Sequence, residues 1–146
     1  MMFDRSVLLL GLIGVTGCGG ALISNTQELQ IGGGVDQQLK KQYSLVQQDD
    51  PVAKWAKELI EPLVVASSAF RDPAEVEGYR VAVIADNELV NAFAAPGGYT
   101  YLSTGLILGA RNCAEIVGVM GHELAHVTQR HGAKSIEKAF AVQTII

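Results

Sequence analysis

Residues His122-Glu123-Leu124-Ala125-His126 spell HExxH, two imidazoles four positions apart with a carboxylate beside the first. An α-helix turns about 100° per residue, so positions i and i+4 differ by about 40° and one turn of rise. Both rings therefore leave the same face and can reach one zinc ion at about 2.0–2.1 Å each. Glu123, about 100° round from His122, stands at the margin of that face. From there a carboxylate can take a proton from a metal-activated water without ligating the metal. With 3 His in the chain, shuffling the residues produces this pattern only about three times in a thousand. The expected chemistry is one zinc ion per chain, held by His122 and His126, with Glu123 as general base.

The segment around the motif reads as the helix such a site needs. With His122 at zero on the wheel, Ile116, Val117, Met120, Leu124 and Val127 fall between about 120° and 220°, an apolar stripe opposite the histidines. Asn112 is a good N-cap, and Glu115 three residues on completes a capping-box-like pair. Cys113, beside that cap, reads as a small buried residue. At the far end His131-Gly132 reads as a C-terminal cap, with Gly in the left-handed position. As a third ligand His131 falls about 140° from His126 on a continued helix and points elsewhere. The longer zinc pattern HExxHxxGxxH is excluded, because Gln129 and Gly132 occupy its glycine and third-histidine places.

Residues 1–17 read as a lipoprotein signal peptide. Arg5 supplies a thin positive region, and Val7 to Val15 is an apolar run too short to span a bilayer. It ends Val15-Thr16-Gly17-Cys18, which resembles a bacterial lipobox, so Cys18 is the candidate lipidation site. An ordinary cleaved signal or an uncleaved anchor are the competing readings. Acylation would hold the protein on a membrane. Gly19 after the cysteine favours the outer membrane of a two-membrane cell over the inner, on the periplasmic side. The net charge of −4, without a basic run, argues against nucleic acid as a partner.

Residues 18–34, rich in Gly and polar residues and ending in Gly32-Gly33-Gly34, read as a flexible tether. Residues 35–146 then form one domain. Leu39, Tyr43 and Val46 recur at helical spacing behind Asp36. Asp50-Pro51 is an N-cap and first-turn pair for a second helix, with Trp55, Leu59 and Leu63 as its stripe and a kink at Pro62. From Tyr79 the period changes. Strands are expected at 79–85, 89–94 and 99–103, separated by turns at Asp86-Asn87 and Pro96-Gly97-Gly98, with a short helix at 104–110. The pattern is α+β, helices around a small, mainly antiparallel sheet.

Two stretches in register carry a resemblance: Asn91-Ala92-Phe93-Ala94-Ala95-Pro96-Gly97-Gly98-Tyr99, and Gly121 to His126 followed by Arg130-His131. Together with Gly105-Leu106-Ile107 between them, they resemble the bacterial HExxH zinc metallopeptidases related to the CAAX prenyl endopeptidases. That family includes the envelope protease that assists outer-membrane β-barrel assembly. The likeness runs from about Asp36 to Phe140. It implies a zincin-like fold, His122 and His126 as ligands, Glu123 as base, and a strand bordering the cleft at Asn91, Ala92 and Phe93. An extended peptide could add to such a strand, although an ordinary hairpin member would look the same.

The resemblance further implies a third ligand, a Glu on a later helix within a Glu-x-x-x-Asp pattern. Downstream of His126 the one carboxylate is Glu137, with no Asp behind it and too close for a chain that must leave one helix and return on another. The domain is therefore expected to be incomplete at its C-terminus. Two functions follow as expectations. One is a zinc metalloendopeptidase of the cell envelope acting on unfolded or misassembled envelope proteins. The other is a non-catalytic, chaperone-like or assembly lipoprotein that keeps the protease scaffold.

Overall fold

A computed structural model describes residues 23–143, with side chains through residue 139. Five helices surround one three-stranded sheet: α1 Asn25–Gln42, α2 Pro51–Ser67, β1 Arg80–Ile84, β2 Ala92–Ala95, β3 Tyr99–Ser103, α3 Thr104–Gly109, α4 Cys113–Thr128 and α5 His131–Gln143. The architecture is α+β, as the sequence pattern indicates. The signal peptide and Cys18 lie outside the described residues. Among the described residues no helix is long and apolar enough to cross a membrane.

The core forms where α2 and α4 lay their apolar faces against the sheet. Ala56 and Ile60 of α2 meet Ile116, Met120 and Leu124 of α4, with Val83, Ala92 and Leu102 beneath them. Trp55, Leu59 and Leu63 pack at the margin of this cluster, so the expected stripe of α2 is a core stripe. Asp50 caps α2 by accepting from the Val52 N–H at 2.8 Å. The helix runs through Pro62 to Ser67.

The sheet is mixed rather than mainly antiparallel. β3 lies in the middle, parallel to β1 and antiparallel to β2. A hairpin at Asp86-Asn87 would have put β2 beside β1. Instead Asp86 turns the chain toward α3: its carboxylate accepts from Glu88 and Leu89 N–H, and its carbonyl accepts from Gly105 N–H. Ser103 then ties the incoming loop to the end of β3, accepting from Asn91 N–H at 3.1 Å and capping α3 through Leu106 N–H at 3.1 Å. β2 is thereby carried past β3 and becomes an edge strand.

The tether expected over residues 18–34 is corrected from Asn25 onward, where the chain is helical. Ser24 and Gln27 form a reciprocal capping box, which starts α1 ahead of the three glycines. The glycines are compatible with a helix because the helix lies against the β2–β3 turn. A Cβ on Gly32 would stand 1.9 Å from the Pro96 carbonyl oxygen. Here absence of a side chain serves close approach, and flexibility is not its purpose. Further along, Val35 and Leu39 pack on Ile84 and Tyr101, and Asp36 accepts the buried Tyr101 hydroxyl at 2.9 Å. The helix ends at Gln42, so Val46 belongs to an extended segment whose N–H donates to the Val83 carbonyl at 2.8 Å.

These packings separate two neighbouring glycines. Gly32→Ala is expected to destabilise the fold by about 1–3 kcal/mol through overpacking. Gly34→Ala, with nothing within 4 Å of the added methyl, should be neutral or stabilising by up to about 1 kcal/mol. Urea denaturation of both variants checks this, and equal, negligible effects would restore the tether.

Candidate active site

Helix α4 presents the motif as its wheel requires. Ile116, Met120, Leu124 and Val127 are buried, while His122 is exposed and Glu123 and His126 are half-buried. Asn112 caps the helix, accepting from Glu115 N–H at 3.2 Å. The Glu115 carboxylate reaches back to the Arg111 N–H at 2.8 Å, one residue beyond the N-cap N–H that a true capping box uses. Cys113, expected to be buried, is exposed in the first turn, because that turn projects beyond the core cluster.

The two imidazoles of the motif converge. His122 Nε2 and His126 Nε2 lie 3.0 Å apart. Two nitrogens on a tetrahedral ion at about 2.0–2.1 Å would be separated by about 3.3 Å. The donor pair therefore fits one zinc-sized ion with a few tenths of an ångström of opening. Among the described residues no group of three His, Cys, Asp or Glu side chains is placed to hold a metal ion. Glu137 is engaged elsewhere, accepting from the Ile23 N–H at 2.8 Å.

Beside the pair lies a cleft of about 590 Å³, walled by Glu123 and His126 on one side and by Phe93, Ala94 and Ala95 of β2 on another. The strand borders the cleft two residues later than expected. Ala92 is buried against α4 in the core, and Asn91 is tied to Ser103, so of the three expected residues only Phe93 lines it. Among the described residues β2 pairs only with β3, so its other edge carries no strand partner there.

His131 departs most from the sequence reading. Gly132 does not take the left-handed conformation; Arg130 does, at φ 56°. The chain breaks there and α5 starts at His131, so the wheel of a continued helix no longer applies. The His131 ring turns back until its Nδ1 is 2.9 Å from His126 Nδ1.

A buried carboxylate holds this break. Glu28 of α1, 1% exposed, receives Arg71 through both terminal nitrogens at 3.0 Å and Arg130 Nε at 2.8 Å. The Gly97 N–H adds a fourth donor at 3.2 Å. Arg71 also donates to the Val127 carbonyl at the end of α4, and Arg130 to the Ile23 carbonyl. One charged cluster thus joins α1, the end of α2, the β2–β3 turn and the α4–α5 junction. Sequence reasoning missed it, because no local pattern ties residues 28, 71 and 130 together. Burial by itself pushes the Glu28 carboxyl up, but hydrogen bonds from Arg71, Arg130 and Gly97 outweigh it and hold the group below its ordinary value of 4.5.

The model of Peptidase family M48 matches residues 51–146, which include the whole of α4 and the cleft strand. The chain belongs to peptidase family M48. A Vibrio cholerae protein assigned as a beta-barrel assembly-enhancing protease is 35% identical over 120 residues, covering 82% of this chain and 23% of its own length. The beta-barrel assembly-enhancing protease of Escherichia coli K12 is 31% identical over 119 residues, 81% of this chain and 23% of the relative. The mitochondrial metalloendopeptidase OMA1 of Arabidopsis thaliana is 32% identical over 122 residues, 76% of this chain and 25% of the relative. The chain spans about a quarter of the length of these relatives, and its family places it among the metallopeptidases.

Because the folded Glu28 carboxyl titrates below the ordinary value, its contribution is complete above about pH 4.5 and fades as pH falls through the folded value. Glu28→Gln should lower stability at pH 7 by about 3–5 kcal/mol, since it removes the charge partner of the buried Arg71 and of the half-buried Arg130. It should also flatten the acid limb below pH 4.5. Denaturant melts from pH 7 to pH 3 check both; superimposable acid limbs would contradict the role.

Proposed function

We propose that this chain carries the metal-binding pair and the general base of a zinc-dependent metalloendopeptidase. The observation that supports it most is the convergence of the two Nε2 atoms at 3.0 Å with Glu123 on the wall of the adjoining cleft. Zinc held by His122 and His126 would polarise a scissile carbonyl and acidify a water molecule. Glu123 takes the proton of the attacking water as its oxygen bonds to the carbonyl carbon. It then delivers that proton to the amine nitrogen as the C–N bond breaks. The edge of β2 from Phe93 to Ala95 receives the substrate as an added strand, fixing the peptide by main-chain hydrogen bonds rather than by sequence. Catalytic zinc takes three protein ligands, and His122 and His126 are two of them.

An enzyme that reads extended backbone suits unfolded chains. We therefore infer that its substrates are unfolded or misassembled envelope proteins, in keeping with the names of two of its relatives. Lipidation at Cys18 would hold it on the periplasmic face of the outer membrane. A second reading rests on the absence of a group of three metal-holding side chains among the described residues: a non-catalytic assembly lipoprotein on the same scaffold.

Incubating the purified protein with zinc and unfolded casein separates the two. Cleavage is expected, falling by about 10²–10⁴-fold in Glu123→Gln while zinc content is unchanged. Cleavage that survives Glu123→Gln would contradict the assignment of the base. Suppressed client aggregation without cleavage would favour the lipoprotein module.

A further inference from the structure

We propose that His131 is a positioning residue that holds the His126 ring in the one tautomer able to bind a metal through Nε2. The proposal rests on the metal-site reading above and adds a role for a side chain outside the HExxH motif.

The two nitrogens of His126 face different neighbours. Nε2 meets His122 Nε2 at 3.0 Å, and Nδ1 meets His131 Nδ1 at 2.9 Å. A neutral imidazole carries one N–H, so a ring that offers its Nε2 lone pair to a metal must keep its proton on Nδ1. That Nδ1–H needs an acceptor, and in metal sites a carboxylate or backbone carbonyl commonly supplies it. Here the neighbouring acceptor is His131 Nδ1, which accepts when the His131 proton sits on its own Nε2. The rings meet edge to face, at 74° with centroids 4.8 Å apart, so one ring nitrogen approaches another without stacking.

The contact is built into the chain path. Left-handed Arg130 stops α4, and its guanidinium is clamped by Glu28 at 2.8 Å and by the Ile23 carbonyl at 2.6 Å. The next residue then starts α5 with its ring directed back at His126.

The test compares His131→Ala, His131→Asn and His131→Gln, with folding of each verified by circular dichroism. Asn places a carbonyl oxygen near the position of Nδ1, whereas Gln keeps the bulk but moves its polar group toward the position of Nε2. Zinc affinity, read by competition with a chromophoric chelator, should fall about 10–100-fold in His131→Ala and His131→Gln. It should recover in His131→Asn. In the metal-free protein, long-range ¹H–¹⁵N spectra should show His126 as the Nδ1–H tautomer in wild type and His131→Asn, and as a mixture in the other two. Zinc binding that needs His126 but is unchanged in His131→Ala and His131→Gln would overturn this proposal alone. Zinc binding indifferent to His126→Ala would overturn the metal-site reading and this proposal with it.

Discussion

The fold depends on a single carboxylate that has been taken out of water and given four donors. A buried charge without partners costs several kcal/mol, so Glu28 is tolerable only where Arg71, Arg130 and the Gly97 N–H are all delivered to it. The four hydrogen bonds come from three residues in different parts of the chain, two of them from Arg71. The segment after α2, the β2–β3 turn and the α4–α5 junction meet at Glu28 in the observed arrangement. Removing one partner of such a cluster is costly because it leaves an uncompensated charge, whereas apolar packing of Ile60, Met120 and Leu124 contributes net stabilisation.

The same cluster explains why the site is ordered on both sides of helix α4. One side is local: the apolar stripe Ile116, Met120, Leu124 and Val127 fixes the rotation of the helix, and rotation alone sends both imidazoles outward. The other side is set from a distance. Arg130, held by Glu28, stops the helix just after the second histidine and turns His131 back onto it. The edge of β2 reaches the cleft because Ser103 and Asp86 carry that strand past β3. Helix, break and edge strand converge on one cavity from separate causes.

Features with a local cause were legible in the residues. The metal helix, its Asn112 cap, the Asp50-Pro51 start of α2 and the strand at 99–103 all follow from periodicity and end signals, and the structure has each. Features decided by long-range contacts were not. Gly32-Gly33-Gly34 looked like a tether because propensity counts glycine against a helix, whereas close approach to Pro96 makes it the residue that fits. The sheet is mixed where a mainly antiparallel one is expected, because an Asp-Asn pair signals a turn but not which strand lies across from it. His131 was discarded on the geometry of an unbroken helix, and a single left-handed arginine removed that premise.

The central claim is that His122 and His126 bind one metal ion together, and zinc-edge X-ray absorption of the protein loaded with one equivalent addresses it most directly. The account predicts a first shell of nitrogen and oxygen at about 2.0–2.1 Å with outer scattering from two imidazole rings, falling to one in His126→Ala. A sulfur shell at about 2.3 Å, or an imidazole signal unchanged by removal of either histidine, would contradict it.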